Sequence, residues 1–245
     1  MSLRTALLLA AIIFSITVIA RLPAQLLASR LPAPVHCEEP SGTIWHGTCG
    51  QLSAESLSIP GLSWKLHPLA LLQLALRVDL NSIDPNNGGS ASILARHNGD
   101  LTVTALNAVV PLGPAPTILP AGSSALLALA LPSVTMHGGH LSSAIGTAEL
   151  RNLRVSNPAL DLGSFQIQLG PDPGDATVTD GQVHDLEGPL AVNGLARLQS
   201  GGSFEVNGTV AARATATDDL NRALQMFLGP EDAQGHHSFS LSGTL

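Results

Sequence analysis

The chain has 245 residues, of which 44% are hydrophobic and only 12% are charged, and this composition excludes an intrinsically disordered protein. Its formal net charge is −7 and Lys65 is its only lysine, so the sequence has no basic stripe that could hold nucleic acid. The length is sufficient for a domain with a substantial hydrophobic core.

The N-terminal segment contains an uncharged apolar run over residues 5–20, preceded by Arg4 and followed by Arg21. A helix over this run is about 24 Å long, whereas a membrane span normally needs roughly 20 apolar residues. An arginine at the end of such a helix can extend its side chain to the membrane–water interface. We therefore predict a cytoplasmic head at residues 1–4 and a transmembrane signal anchor at residues 5–22.

Two alternatives for this segment stay open. Val18 and Ala20 fit the small-residue rule for cleavage of a signal peptide, and a buried helix of a soluble protein is the other alternative. Both the anchor and the signal peptide place residues 31–245 outside the cytoplasm. Arg4 and the α-amino group favour a cytoplasmic N-terminus for an uncleaved anchor.

Residues 23–40 are predicted to form an extended, proline-rich tether between the membrane and the folded domain. Cys37 and Cys49 both follow the anchor, and in an exported domain such a pair is most simply a disulfide. The alternatives are two free thiols, or a zinc site that also uses His36 and His46. The spacing of these four residues matches no standard zinc pattern.

Residues 41–245 are dominated by alternation of apolar and polar residues with a period of two, bounded by clusters of Gly, Pro, Asn and Asp. This pattern and the short spacings favour an antiparallel meander of half-buried strands over a parallel α/β sheet. We predict one mainly β domain with one or two short amphipathic helices. The alternating apolar sets are Leu62, Trp64 and Leu66; Leu76, Val78 and Leu80; Leu101, Val103 and Ala105; Phe165, Ile167 and Leu169; Phe204 and Val206; and Phe239 and Leu241.

One amphipathic helix is well specified over residues 218–228. Thr217 is a suitable N-cap, and the two aspartates that follow it complement the helix dipole. Leucine and phenylalanine side chains at 220, 224, 227 and 228 share one face, and Gly229 ends the helix. A shorter helical piece is predicted at 68–72, whereas residues 114–132 are ambiguous between a loop with a short helix and a buried strand.

The sequence contains no nucleophile elbow, phosphate-binding loop or dinucleotide fingerprint, so we predict no enzymatic activity and no cofactor. His137, His140, His236 and His237 are interpreted as residues of turns and strand surfaces rather than metal ligands. The aspartates of the stretch 172–185 are interpreted as solvated turn carboxylates, since the EF-hand spacing is absent.

Two stretches carry a family resemblance. The first comprises residues 41–47 (SGTIWHG) and 62–68 (LSWKLHP), followed by two leucines at 71–72. The second is the C-terminal block 188–245, which contains the predicted helix and the sequence LGPEDAQG after it. Together with a short head and one N-terminal anchor, these stretches resemble the type II secretion system protein N family.

The resemblance implies a non-enzymatic inner-membrane subunit with a single span and a C-terminal domain in the periplasm. It further implies that this subunit links the inner-membrane platform of the secretion system to the outer-membrane secretin during export of folded proteins. The partners implied are the secretin and inner-membrane subunits of the system.

Trp45 and Trp64 are our candidate interface residues, because tryptophan is enriched at the energetic centres of interfaces. The alternative is that both are core residues. The motif at 62–68 also resembles the opening of AsmA-like envelope proteins, which handle lipids, so a lipid-handling protein is our alternative function. A periplasmic enzyme with a distributed site is a third hypothesis.

Overall fold

A computed structural model describes most of the chain. The described residues are 10, 13–15, 17–31, 33–54, 57–84, 87–112, 122–157, 159–172, 174–175, 178–199 and 201–244. Within them, the chain forms a single antiparallel sheet that is accompanied by short helices.

The strands, in chain order, are β1 Val35–Glu38, β2 Ser41–Gly42, β3 His46–Ala54, β4 Leu57–Leu66, β5 Ala75–Ser82, β6 Gly88–Arg96, β7 Leu101–Leu112, β8 Ser123–His137, β9 His140–Ser156, β10 Ala159–Pro171, β11 Val178–Glu187, β12 Leu190–Gln199, β13 Ser203–Ala212 and β14 His237–Thr244. The helices whose full length lies within the described residues are α1 Gln25–Ala28, the 3₁₀ helix η1 Pro68–Gln73 and α2 Asp218–Leu228. Residues 13–15 and 17–20 are also helical.

The sheet is a meander. From β3 to β14 every strand pairs with the next strand along the chain, while β1 and β2 both pair with β3. Every pairing is antiparallel, as the period-two alternation predicts. The order of strands has two ends, and β14 is the last strand at the far end from β1.

One face of the sheet is apolar across almost all of its width. Residues directly opposite each other in an antiparallel pair lie on the same face, so the register identifies rows of neighbours. Two such rows can be followed across the sheet, and they meet on β6. Ile93 belongs to the first row and Gly89 is opposite Ala108, where the second row begins; because Gly89 and Ile93 are four positions apart on one strand, both rows lie on one face. The first row is Leu66, Val78, Ile93, Val103, Val134 and Ala144, and the second is Ala108, Leu129, Ala148, Ile167, Val183, Gly194, Gly208 and Phe239.

The other face is polar. A row on this face contains Glu149, Gln166, His184, Asn193, Thr209 and Ser238. Its side chains bond to one another across the strands: His184 Nε2 donates to Gln166 Oε1 at 2.8 Å, and Gln166 Nε2 donates to Glu149 Oε1 at 3.4 Å. The sheet is therefore amphipathic, and its apolar face needs cover.

The described residues form a buried cluster at each end of this apolar face. At the first end, Ala24 packs with Cys49, Leu62 and Trp64. At the second end, α2 packs on the sheet and forms a cluster whose buried members are Leu160, Leu190, Val210, Leu220 and Leu224. The short helices therefore cover the two ends of the apolar face.

The helix α2 begins and ends where the sequence predicts. The Thr217 hydroxyl accepts a hydrogen bond from the Leu220 amide at 3.3 Å, and Gly229 is the C-cap. The predicted apolar face is correct for Leu220 and Leu224 but wrong for Phe227, which is 80% exposed. Helical periodicity gives the direction of a side chain, but it does not give the distance from that side chain to the sheet.

We predict that Leu224→Ala lowers the free energy of unfolding by about 2–5 kcal/mol, because it leaves a cavity in the cluster beneath α2. The matched change on the same helix, Phe227→Ala, is expected to cost less than about 0.5 kcal/mol, because that side chain is exposed. Urea unfolding of the full chain in detergent, followed by circular dichroism, measures both. Equal losses for the two variants would contradict this account of α2.

The head at residues 1–4 lies outside the described residues, as do residues 5–9, 11, 12 and 16 of the predicted anchor at 5–22. In the part of the chain that is described, no helix combines the length and the hydropathy that a membrane crossing requires. Of the ambiguous stretch, residues 123–132 belong to β8, and residues 114–121 lie outside the described part.

Part of the segment predicted as a tether, residues 23–40, is folded onto the domain. Ala24 is fully buried, and β1 pairs with β3 from Val35 to Glu38. Val35 and Cys37 alternate with polar neighbours, which is the pattern of a strand with one face on a core. The proline content of the segment concealed this short alternation.

Candidate functional site

The end of the apolar N-terminal run is hydrogen-bonded to the first strands of the sheet. We call this contact between residues 19–24 and 42–45 the anchor junction. The bonds run from Trp45 Nε1 to the Ile19 carbonyl (2.9 Å), from the Ile44 amide to the Leu22 carbonyl (3.0 Å) and from the Ala24 amide to the Gly42 carbonyl (3.1 Å). The last residues of the predicted anchor, together with Ala24 just after it, are therefore fixed to the start of the sheet by specific bonds.

Both candidate interface tryptophans take part in this region. Trp45 is half-buried and forms the indole bond of the anchor junction. Trp64 is buried, and its Nε1 donates to the Ile44 carbonyl at 3.1 Å. Both indole groups thus bond to carbonyls of this chain, and a role for either residue at an interface stays a prediction.

Gly47 lets the Trp64 ring lie directly on β3. The two residues are opposite each other in the register of β3 and β4. A Cβ atom at Gly47 would lie 2.2 Å from the Trp64 ring, so any larger residue must displace the indole. The motifs SGTIWHG and LSWKLHP, far apart in sequence, therefore meet at this contact.

We predict that Gly47→Ala lowers the free energy of unfolding by about 1–3 kcal/mol, because it overpacks the contact with Trp64. Gly170→Ala is the matched control: Gly170 is also in a strand, and an added Cβ atom there meets no other atom within 4 Å. Chemical unfolding followed by tryptophan fluorescence measures the difference. If both variants unfolded at the same denaturant concentration, the claim that a side chain at position 47 overpacks the contact with Trp64 would be wrong.

Cys37 and Cys49 form a disulfide with a Cα–Cα distance of 5.7 Å. The bond joins β1 to β3, and its buried partner Cys49 belongs to the cluster that contains Trp64. It therefore connects the segment after the predicted anchor covalently to the sheet.

We predict that the double variant Cys37→Ala/Cys49→Ala loses about 3 kcal/mol of unfolding free energy, the value expected for closing a loop of this length. Reduction of the native protein by dithiothreitol is expected to give the same loss, and it should not change the variant. Unfolding curves with and without reductant measure both effects. A native protein indifferent to the reductant would contradict the prediction.

A cavity of about 250 Å³ lies beneath α1 at the first end of the apolar face. The residues that line it are all apolar and come from α1, the residues beside it and strands β1, β3, β4 and β5; they include Leu27, Leu31, Leu62, Trp64, Val78 and Leu80. Such a cavity can hold an apolar group and offers no group for acid–base chemistry.

A polar cluster lies near η1. His67 Nε2 is 2.6 Å from one oxygen of Asp79, and the Ser92 hydroxyl donates to the other oxygen at 2.6 Å. The bond from Ser92, then the bond from His67, hold the pKa of Asp79 below its usual value, although partial burial acts in the opposite direction. The serine contacts the carboxylate and not the imidazole, so the cluster lacks the nucleophile–base contact of an activated serine.

Two residues interpreted from the sequence as surface groups are more buried than that interpretation implies. His237 is buried on the apolar face, and its Nδ1 contacts the Gly229 carbonyl at 2.8 Å. For Asp185, burial acts to raise the pKa, but hydrogen bonds from the Val192 amide and the Arg213 guanidinium outweigh it and lower the pKa. Across the described residues, no three metal-binding side chains come together.

Sequence reasoning missed a set of exposed leucines at η1. Leu69, Leu72 and Leu74 are 76%, 83% and 66% exposed, and Leu71 is also exposed. The signal was present in the sequence PLALLQL, because a helix of only about two turns cannot bury four leucines spread around it. These leucines follow the motif LSWKLHP directly.

The model of the family "Type II secretion system (T2SS), protein N" matches residues 33–240, which is most of the chain. The chain belongs to the type II secretion system protein N family. The type II secretion system protein N of Vibrio cholerae serotype O1 is 24% identical over 239 residues, covering 94% of this chain and 93% of that protein. No solved structure matches the chain significantly. The family predicted from the two motifs is therefore confirmed, and it supports a role in type II secretion.

Proposed function

We propose that this member of the protein N family is a non-enzymatic, single-pass inner-membrane subunit of the type II secretion system. Its sheet lies in the periplasm and links the inner-membrane platform to the outer-membrane secretin during export of folded proteins. Inner-membrane subunits of the system contact the first end of the sheet, and the secretin contacts the second end.

The anchor junction carries this proposal. Three hydrogen bonds fix residues 19–24 to the start of the sheet, so the sheet has no free linker between itself and the end of the apolar run. A sheet held in this way keeps a defined position relative to the membrane segment at residues 5–22. A defined position is what a structural link between two assemblies requires.

The dimensions of the sheet support the linking role. Twelve steps between neighbouring strands separate β1 from β14. At about 4.8 Å for each step, the path along the sheet is about 58 Å. The two ends can therefore contact different subunits at the same time.

Two further observations support the location and the absence of catalysis. The Cys37–Cys49 disulfide suits an oxidising compartment such as the periplasm. In the cluster of Ser92, His67 and Asp79, the Ser92 hydroxyl donates to the carboxylate of the neighbouring strand and has no contact with the imidazole that could activate it.

Photo-crosslinking in cells of the native host tests the proposal. Benzoylphenylalanine is introduced at Ser41, which is exposed on β2 near the anchor junction, or at Phe227, which is exposed on α2. After irradiation, the protein is purified by an affinity tag from solubilised envelopes, and its partners are identified by mass spectrometry. We expect inner-membrane subunits at Ser41 and the secretin at Phe227.

Arg222 is the matched control, because it lies on α2 but points away from Phe227 by helical periodicity. Benzoylphenylalanine at Arg222 is expected to capture less secretin than the same residue at Phe227. Identical partners at both ends of the sheet, or no subunit of the secretion system at either end, would refute the linking role.

The alternative, an AsmA-like lipid-handling protein, is not favoured by the comparisons, because the secretion family matches residues 33–240. The apolar cavity beneath α1 does not distinguish the two functions, because its walls include the disulfide and Trp64, which belong to a structural cluster. We therefore retain the secretion role as the proposed function.

A further inference from the structure

The 3₁₀ helix η1 presents its leucines to solvent. Leu69, Leu71, Leu72 and Leu74, which we call the leucine patch, are all exposed, and η1 has no buried residue. Soluble proteins rarely expose contiguous apolar side chains without a binding function. The patch therefore needs an occupant.

The position of the leucine patch indicates what the occupant is. The Leu66 amide donates to the Trp45 carbonyl at 2.7 Å, and the indole of the same tryptophan donates to the Ile19 carbonyl. η1 begins at Pro68, only two residues after Leu66. Three residues of chain, at most about 10 Å, separate Leu66 from Leu69. The patch thus lies beside the point where the apolar run at residues 5–20 reaches the sheet.

Basic side chains accompany the patch. Lys65, Arg77 and Arg96 are exposed, and the turn after Arg96 is joined to the patch by a bond from the His97 amide to the Leu74 carbonyl at 3.3 Å. Two carboxylates lie in the same region: Asp79 bonds with His67 and Ser92 and also lies 3.9 Å from Arg77 Nε, and Asp100 bonds with His137 and Asn98. The three exposed bases outnumber these two carboxylates, so the site has a local excess of positive charge in a chain of net charge −7.

We propose that the leucine patch inserts into the surface of the anionic lipid bilayer that holds the N-terminal anchor. Exposed leucines flanked by bases fit such a surface, because the apolar side chains enter the acyl boundary and the cations lie among the head groups. This inference rests on the proposed membrane anchor at residues 5–22. It adds a second membrane contact, which sets the orientation of the sheet above the bilayer.

Depth-dependent fluorescence quenching tests the inference in the full chain. Single cysteines at Phe14→Cys, Leu72→Cys or Leu195→Cys are labelled with the environment-sensitive fluorophore NBD. The two native cysteines do not react, because they form the disulfide. Each protein is reconstituted into vesicles of phosphatidylethanolamine and phosphatidylglycerol, with or without doxyl-labelled lipid. Leu195 is the aqueous control, because it is 66% exposed on β12, far along the sheet.

We expect doxyl lipid to quench the label at Leu72 at least twofold more than the label at Leu195, with the label at Phe14 quenched most. Quenching at Leu72 is expected to fall when the anionic lipid is omitted. If the label at Phe14 is quenched but the label at Leu72 is quenched no more than the label at Leu195, the inference is overturned and the proposed anchor is retained. That result would assign the patch to a protein partner.

The failure of the proposed anchor has a different signature. If the label at Phe14 is not quenched, the membrane anchor is refuted. Quenching at Leu72 alone would then support an independent membrane contact of the patch, and quenching at neither position would refute both proposals.

The variant Leu69→Ser/Leu72→Ser with the label at Leu74→Cys provides a second measurement. Quenching at position 74 is expected to fall at least twofold in this variant relative to Leu74→Cys alone.

Discussion

The continuous apolar face of an open sheet is the constraint on which the rest of this structure depends. From β3 to β14 each strand bonds to its chain neighbours, which satisfies the backbone hydrogen bonds locally but leaves one face of half-buried aliphatic residues to be covered. The chain covers the first end with α1 and the segment before β1, and it covers the second end with α2. The N-terminal segment is therefore part of the fold and not merely an attachment to it.

The anchor junction follows from the same constraint. Trp64 on β4 and Trp45, which lies between β2 and β3, are held near the segment at Ala24, and each indole donates to a backbone carbonyl that this packing brings within reach. The disulfide adds a covalent bond between the same elements. The family motifs contribute Gly47, Trp45 and Trp64, so the contacts of this region explain structurally why the motifs contain these residues.

Much of the fold was predictable, because alternation with a period of two and short turns leave an antiparallel meander as the simplest arrangement. The cap, length and end of α2 were also predictable, since Thr217 and Gly229 specify them locally. The exposure of Phe227 and the folding of Ala24 and Val35–Glu38 onto the sheet were not predictable, because both depend on where the sheet lies in space. The register shift in β7, where Ala105 adopts φ 51°, likewise leaves no periodic signal. Of the candidate site, the cysteines and tryptophans were identified from residue type alone, whereas the leucine patch required the observation that η1 buries none of its side chains.

The central claim is that the sheet is open and that its ends lie far apart, and a distance between spin labels tests it most directly. Labels at His46→Cys on β3 and Ser242→Cys on β14 are separated by eleven strand steps, a path of about 53 Å along the sheet. Double electron–electron resonance on the full chain is predicted to give a distance above about 30 Å, which allows for the twist of the sheet. A distance below about 20 Å would mean that the two ends come together, as in a closed sheet, and would contradict the account.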